Sequence, residues 1–258
     1  MGDDDVILYE KRHRLAILTL NRPAARNAVN GDVAQRMEAL LDDYEADDEL
    51  WAAILTGHGP TFCAGADLKE IAAGNGASLT TQRGGFGGLV MRDRRKPLVA
   101  AITGSALAGG TELALACDLI VCADDTQFGL PEVKRSLVAA AGALFRLPRA
   151  IGMAPALEAI MTGEPLPAQR AYELGMVNRV VPTEQVMNEA VALAESIAAN
   201  APLAVAASRT VAMRAYEGDD DELMRASLRA IGDLSATEDF AEGPRAFIEK
   251  RPPVWKGR

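Results

Sequence analysis

The stretch Leu98-Val99-Ala100-Ala101-Ile102-Thr103-Gly104-Ser105-Ala106-Leu107-Ala108-Gly109-Gly110-Thr111-Glu112-Leu113-Ala114-Leu115-Ala116-Cys117-Asp118-Leu119-Ile120-Val121-Cys122-Ala123 decides the class of fold. Leu98–Ile102 is an uninterrupted apolar run, as a strand buried on both faces requires. Gly104–Thr111 is rich in small residues and makes a tight connection into a helix over Glu112–Cys117. Leu119–Ala123 reads as the next buried strand. A strand, a helix and a strand in so few residues is the rhythm of an α/β protein.

The same rhythm extends in both directions. Val6–Glu10 and Leu15–Leu20 read as a hairpin around the charged turn Lys11–Arg14, which leaves His13 exposed. Pro23 ends that strand pair. Asn30 suits the cap of a helix over 31–46, in which Val33, Met37, Leu40, Leu41 and Tyr44 share one face. Ala52–Thr56 is a strand and Gly57–Pro60 a turn holding His58. Residues 74–88 are glycine-rich and unpatterned, which predicts a flexible loop. Gln127–Gly129 is a short strand. From Ala143 onward the pattern is helical, with Pro155 and Pro167 suited to first turns and Gly175 to a helix stop. Met176–Val181 is the last strand. Helices are expected at about 183–199, 202–216, 219–235 and 238–249. The boundary expected from this layout separates an α/β core, 1–198, from a helical region, 199–258.

The chain has 258 residues, 49% of them apolar, enough for one large domain. Its 27 Lys and Arg against 36 Asp and Glu leave a formal charge of −9. That balance argues against a general nucleic-acid or membrane-surface binder. There are two histidines and three cysteines (Cys63, Cys117, Cys122), with no Cys-x-x-Cys or His-x-x-x-His spacing, so no metal site is expected. Isolated cysteines suit a reducing compartment. The longest uncharged stretch, Pro97–Thr111, is too short and too polar to span a membrane. Gly2-Asp3-Asp4-Asp5 has the wrong sign for a signal peptide. These features predict a cytoplasmic protein whose acid–base groups are carboxylates.

The glycine-rich segments admit several chemistries. Gly104–Thr111 follows a strand and opens a helix like a phosphate loop, but Gly110 stands where the phosphate-binding Lys is needed, which leaves backbone amides for an anion and argues against an NTPase. Gly84-Gly85-Phe86-Gly87-Gly88 follows no strand, so it is not a dinucleotide fingerprint. Two turns of small residues, Gly65-Ala66-Asp67 after strand 52–56 and Ala108-Gly109-Gly110 after strand 98–102, can each present free N–H groups to a developing oxyanion. Both also work as ordinary strand-to-helix turns. Glu112 and Glu132 add weight to the first alternative, since each lies in an apolar stretch that would raise its pKa towards neutrality. Two carboxylates flanking one oxyanion site suit addition of water to an activated carbonyl compound, or removal of a proton beside it. Their other readings are a helix-start Glu favoured by the macrodipole, and for Glu132 an ion pair with Lys134 or Arg135.

Several blocks together resemble the crotonase (enoyl-CoA hydratase/isomerase) family. They are Phe62–Glu70, Ala106–Ala114 followed by Cys117–Ile120, and Gln127–Glu132, with Asn21-Arg22-Pro23 and Asn27-Ala28 before them and Ala246–Arg251 after them. The resemblance covers nearly the whole chain. It implies a spiral of ββα units with a helical C-terminal trimerisation region, commonly doubled to a hexamer. It also implies an acyl-CoA thioester ligand and no metal or redox cofactor. By the same resemblance the amides of Ala66 and Gly109 form an oxyanion hole. Ala25, Arg26, Ala64, Asp67, Leu68 and Lys69 line the CoA path. Ala140 offers its N–H beside the catalytic water, and Lys250 reaches a CoA phosphate of a neighbouring subunit. Hydratases of the family carry both carboxylates, as here, whereas its isomerases rely on the one equivalent to Glu132. A 2-enoyl-CoA hydratase is therefore expected. The alternatives are an isomerase or other acyl-CoA lyase of this fold, or a catalytically weak acyl-CoA-binding paralogue. The chain departs from the family pattern at Ala108, which replaces a glycine, and over Ser136–Leu144, where alanines replace glycines and should narrow the acyl pocket.

Overall fold

A computed structural model describes residues 5–258; the Gly2-Asp3-Asp4 stretch weighed for its charge lies outside them. The chain opens with strands β1 (Ile7–Arg12) and β2 (Leu15–Leu20), helix α1 (Gly31–Ala46), and strands β3 (Ala52–Gly57) and β4 (Thr61–Cys63). Helix α2 (Leu68–Ala72), the two-residue strands β5 (Thr80–Thr81) and β6 (Gly85–Phe86), β7 (Leu98–Ile102), β8 (Ser105–Leu107) and α3 (Gly109–Ala116) follow. Next come β9 (Leu119–Ala123), β10 (Gln127–Gly129), α4 (Ala143–Ile151), α5 (Met153–Thr162), β11 (Leu166–Pro167), α6 (Ala168–Glu173) and β12 (Arg179–Val181). The chain closes with α7 (Val186–Ala198), α8 (Pro202–Ala212), α9 (Asp220–Leu234) and α10 (Glu238–Glu249).

Two main sheets form, beside the small β5–β6 pair. The larger has the order β1-β2-β3-β7-β9-β12, parallel throughout except for the β1–β2 hairpin. The smaller has the order β11-β10-β8-β4. Successive turns of the chain pass through a large-sheet strand, then a small-sheet strand, then a helix: β3-β4-α2 and β7-β8-α3. This is the expected spiral of ββα units. Alternation on each large-sheet strand divides the core. Leu15, Ile17, Ile54, Val99 and Val121 face α7, while Leu18, Leu20, Leu55, Ala100, Ile102 and Ile120 face α1 and the small sheet. Asn30 caps α1 by accepting the Val33 N–H at 3.0 Å, a contact worth ~1 kcal/mol.

The short strands β4 and β8 carry no period that sequence reading can detect, so the small sheet is visible only in three dimensions. The last strand starts later than expected, at Arg179. Met176 and Val177 instead donate to the Ala171 carbonyl and close α6 behind Gly175, whose φ is +90°. Residues 74–88 are also not a loose loop. They form a 3₁₀ turn over Gly76–Leu79 and the β5–β6 pair, and Glu38 on α1 binds them by accepting from the Thr81 hydroxyl (2.6 Å) and the Gly84 N–H (2.8 Å). The C-terminal helices are fastened to the core by Asp118, which pairs with Arg94 (3.2 Å) and with Arg209 of α8 (2.7 Å).

Candidate active site

Register in the small sheet stacks three loops at one level. Cys63 pairs with Ala106, and Leu107 with Gly129, so the chain leaves β4, β8 and β10 side by side. The two candidate oxyanion turns therefore follow the short strands β4 and β8 rather than the long strands at 52–56 and 98–102. They are in direct contact. A Cβ on Gly65, where φ is +91°, would lie 2.8 Å from the Gly109 nitrogen and 2.8 Å from the Ala108 Cβ. Thr111 ties the β8 and β10 strands together, its hydroxyl lying 2.6 Å from the Ala106 carbonyl and accepting the Gly129 N–H at 3.1 Å.

The direction of the Ala66 N–H follows from its neighbours. Val29 donates to the Gly65 carbonyl and accepts from the Asp67 N–H, both at 2.8 Å. A trans peptide sends its C=O and N–H opposite ways, so the Ala66 N–H points away from Val29. Gly109 is the first residue of α3, where N–H groups lack helical partners. Both residues border the same cleft of about 1280 Å³, and neither amide has a partner among the described residues. Ala108 holds this turn at φ +53° and ψ −124°, a conformation suited to glycine.

The two carboxylates border that cleft as well. Glu112, on the first turn of α3, is 4% exposed, and its Oε1 accepts from the N–H groups of Ala141 (2.7 Å) and Ala143 (3.1 Å). It therefore faces the Ser136–Leu144 segment and does not cap its own helix. Burial pushes its pKa up, the two amides pull it down, and the charge of Glu132 raises it again; the net direction is upward. Glu132 stands half-buried on the 3₁₀ turn Pro131–Arg135, and its Oε2 is fully buried with no partner. Burial raises its pKa too, against the opposing charge of Arg135. The ion-pair reading of Glu132 fails, because Lys134 pairs with Glu164 at 2.7 Å and Arg135 makes no hydrogen bond to it. Two carboxyls raised by burial in one cleft mark a site for proton transfer. A second recess, about 450 Å³ between α7 and α8, has no ionisable side chain among its lining residues.

A family model described as enoyl-CoA hydratase/isomerase matches residues 10–258. The chain belongs to this family. It is 41% identical to carnitinyl-CoA dehydratase of Citrobacter koseri over 93% of this chain and 94% of the relative. Among solved structures it superposes on enoyl-CoA hydratase of Mycobacterium tuberculosis with a TM-score of 0.95 and 45% identity, over 99% of this chain and all of that one. Carnitinyl-CoA hydratase of Mycobacterium avium matches with a TM-score of 0.79 and 45% identity, over 98% of this chain and 99% of that one.

In this member of the enoyl-CoA hydratase/isomerase family, Ala25, Arg26, Ala64, Asp67, Leu68, Lys69 and Ala140 all border the cleft. Asp67 is engaged internally, capping α2 through the Lys69 N–H (3.1 Å) and pairing with Arg22 (3.0 Å). Burial opposes its ionisation, but Arg22 and the Lys69 amide outweigh that and hold the carboxyl below its usual pKa. Buried Asn27 donates to the His58 and Thr61 carbonyls, which fixes the turn carrying Ala25 and Arg26. Around Ala140, it is the amides of Ala141 and Ala143 that hold Glu112. Lys250, the cap of α10 at φ +52°, does not border the cleft of its own chain.

Sequence reading missed Phe86, Val90, Phe145 and Arg146, all cleft residues. The signal for Phe86 was present in its flanking glycines. Cβ atoms at Gly87 and Gly88 would fall 3.0 Å from Leu113 and 2.2 Å from the Ala34 carbonyl oxygen, so only glycine lets this turn settle against α3 and α1. Phe86 then lies directly over Gly109, whose own Cβ would meet the ring at 2.5 Å.

Proposed function

We propose that the protein is a 2-enoyl-CoA hydratase, adding water across the 2,3 double bond of a 2-enoyl-CoA thioester to give the 3-hydroxyacyl-CoA. The observation that carries this reading is the pair Glu112 and Glu132, buried in one cleft with both pKa values raised. The thioester oxygen would accept from the Ala66 and Gly109 amides. Glu112, its Oε1 oriented by two backbone N–H groups, removes a proton from water as the water oxygen bonds to Cβ. The electron pair of the double bond moves to the thioester as an enolate. Glu132, whose pKa burial raises, delivers a proton to Cα, and proton transfer from Glu112 to Glu132 then resets the site. A lost oxyanion donor costs ~3–4 kcal/mol of transition-state stabilisation. No cofactor beyond the coenzyme A of the substrate takes part.

The CoA half of the substrate would lie along Ala25, Arg26, Ala64, Leu68 and Lys69, with Lys250 supplied by a neighbouring copy. Oligomerisation is supported by apolar residues left exposed on the C-terminal helices. Met224, Leu228 and Ile231 form one face of α9, and Phe247 and Ile248 stand out from α10. A trimer, or a dimer of trimers, would cover them. Three free cysteines support a reducing, cytoplasmic setting. No single described helix is long and apolar enough to cross a membrane.

The carnitinyl-CoA dehydratase relatives favour a second reading, in which the same two carboxyls remove water from a 3-hydroxyacyl-CoA. Purified protein with crotonyl-CoA, followed by loss of the conjugated thioester absorbance, tests the first. Turnover should fall steeply in Glu112→Ala and in Glu132→Ala. Full activity of Glu112→Ala on a 3-enoyl-CoA would establish an isomerase instead. Turnover of carnitinyl-CoA alone would establish the dehydratase, and tight binding of CoA esters without turnover a binding protein.

A further inference from the structure

Beside the two carboxyls the cleft holds a charged group to which nothing above gives a role. Arg146 lies in the first turns of α4, and its guanidinium donates to the Val90 carbonyl at 2.6 Å and to the Ala141 carbonyl at 3.3 Å. Val90 and Ala141 both line the cleft, from segments about fifty residues apart in the chain. Ala141 is also the residue whose N–H holds Glu112. The next residue, Gly142, has φ +113°, and a Cβ there would sit 2.0 Å from Nη1 of Arg146. The positive φ favours glycine here, and any larger residue would also push the guanidinium off its path. The ring of Phe145 lies 5.0 Å from the Arg146 guanidinium carbon and supports it from the side.

We propose that Arg146 is a positioning residue for the hydration chemistry: it clamps the Val90 and Ala141 carbonyls together and so fixes the Ala141 and Ala143 amides on Glu112. This rests on the hydratase reading for its kinetic consequence, not for its geometry. The charges acting on Glu112 are Glu132, from the Pro131–Arg135 turn, and Arg146, from α4. The Ser136–Leu144 segment contributes only backbone amides. Nearby Arg92 and Arg94 are engaged by Asp42 and Asp118. Without Arg146, the Val90 and Ala141 carbonyls would lose the group that ties them, and the Ala141 amide would be less firmly held on Glu112.

The experiment compares Arg146→Met, which removes charge and clamp, with Arg146→Lys, which keeps the charge but lacks the planar fork that spans two carbonyls. In Arg146→Met, kcat on crotonyl-CoA should fall about tenfold or more with little change in KM. With the amides loosened and the nearby charge gone, the acid limb of kcat should move to higher pH. Arg146→Lys, which keeps the charge but loosens the clamp, should show a reduced kcat and a smaller upward move of the limb. Protein carrying carboxyl-13C glutamate, with Glu112→Gln identifying the resonance, reports the Glu112 titration directly whatever the reaction is. It should move to higher pH in Arg146→Met. An unmoved titration together with a kcat within about twofold of wild type overturns the proposal. If wild-type protein does not hydrate crotonyl-CoA, the hydratase reading falls and the titration alone decides the role of Arg146. If Arg146→Met does not fold, wild-type kcat in Arg146→Lys overturns the clamp.

Discussion

Gly65→Ala is the most direct test of how the two amides are brought together. The added methyl would lie 2.8 Å from the Gly109 nitrogen, 2.8 Å from the Ala108 Cβ and 3.0 Å from the Leu107 carbonyl oxygen. All three neighbours belong to the turn between β8 and α3, and two of them are backbone atoms that no rotamer change can move aside. Ordinary van der Waals contact begins near 3.4 Å, so the turns must separate by about half an ångström or more. Alanine at φ +91° adds backbone strain of about 1–3 kcal/mol. The Gly109 amide would then stand off from the thioester oxygen. Loss of one such donor costs about 10²–10³ in kcat. The assay is crotonyl-CoA hydration beside a thermal melt of the same preparation. A large fall in kcat in protein that melts only a few degrees lower is expected (about 4 °C or less per kcal/mol for a chain of this size). Adding Ala108→Gly removes one of the three clashes and should recover part of the activity. A folded Gly65→Ala enzyme with wild-type kcat would refute the idea that the two turns share one oxyanion.

Other outcomes follow from the same geometry. Ala108→Gly alone should raise stability to urea by about 1 kcal/mol, because alanine at φ +53°, ψ −124° is strained and glycine there is not. Glu132→Gln should abolish turnover yet raise the melting temperature at pH 7. Its folded pKa lies above the unfolded value, so the stability it contributes is complete below the unfolded pKa and is lost as pH rises through the folded one. The gain should accordingly vanish in melts run at acid pH, below the ordinary carboxyl range. Asp118→Asn should cost about 3–5 kcal/mol in urea denaturation, since it leaves buried Arg94 and partly buried Arg209 without their shared anion.

Much of the fold was legible because it depends on local chemistry. The spacing of Val33, Met37, Leu40, Leu41 and Tyr44 located α1, and all five are buried. The apolar runs at Leu98–Ile102 and Leu119–Ala123 located β7 and β9 to the residue. Three-residue strands such as β4 and β8 hold too little pattern to show, and they are the strands that carry the site. The 74–88 segment misled for a different reason. Its glycines suggested mobility, but they allow close packing against α1 and α3, and the groups that hold it are contributed by Glu38, more than forty residues earlier.

The sequence by itself determined which groups are available: two glutamates in apolar stretches, two small-residue turns, and almost no histidine or cysteine. Types, caps and periodicities are properties of near neighbours, so they can be read along the chain. Tertiary structure alone decided what those groups do together. Small-sheet register stacks the loops after β4, β8 and β10, and contacts across the fold fix Glu112 on the Ala141 and Ala143 amides, leave Glu132 without a partner, and bring Phe86 and Arg146 into the cleft. Burial raises a carboxyl pKa only once distant segments have closed over it, and that closure has no local signature in the chain.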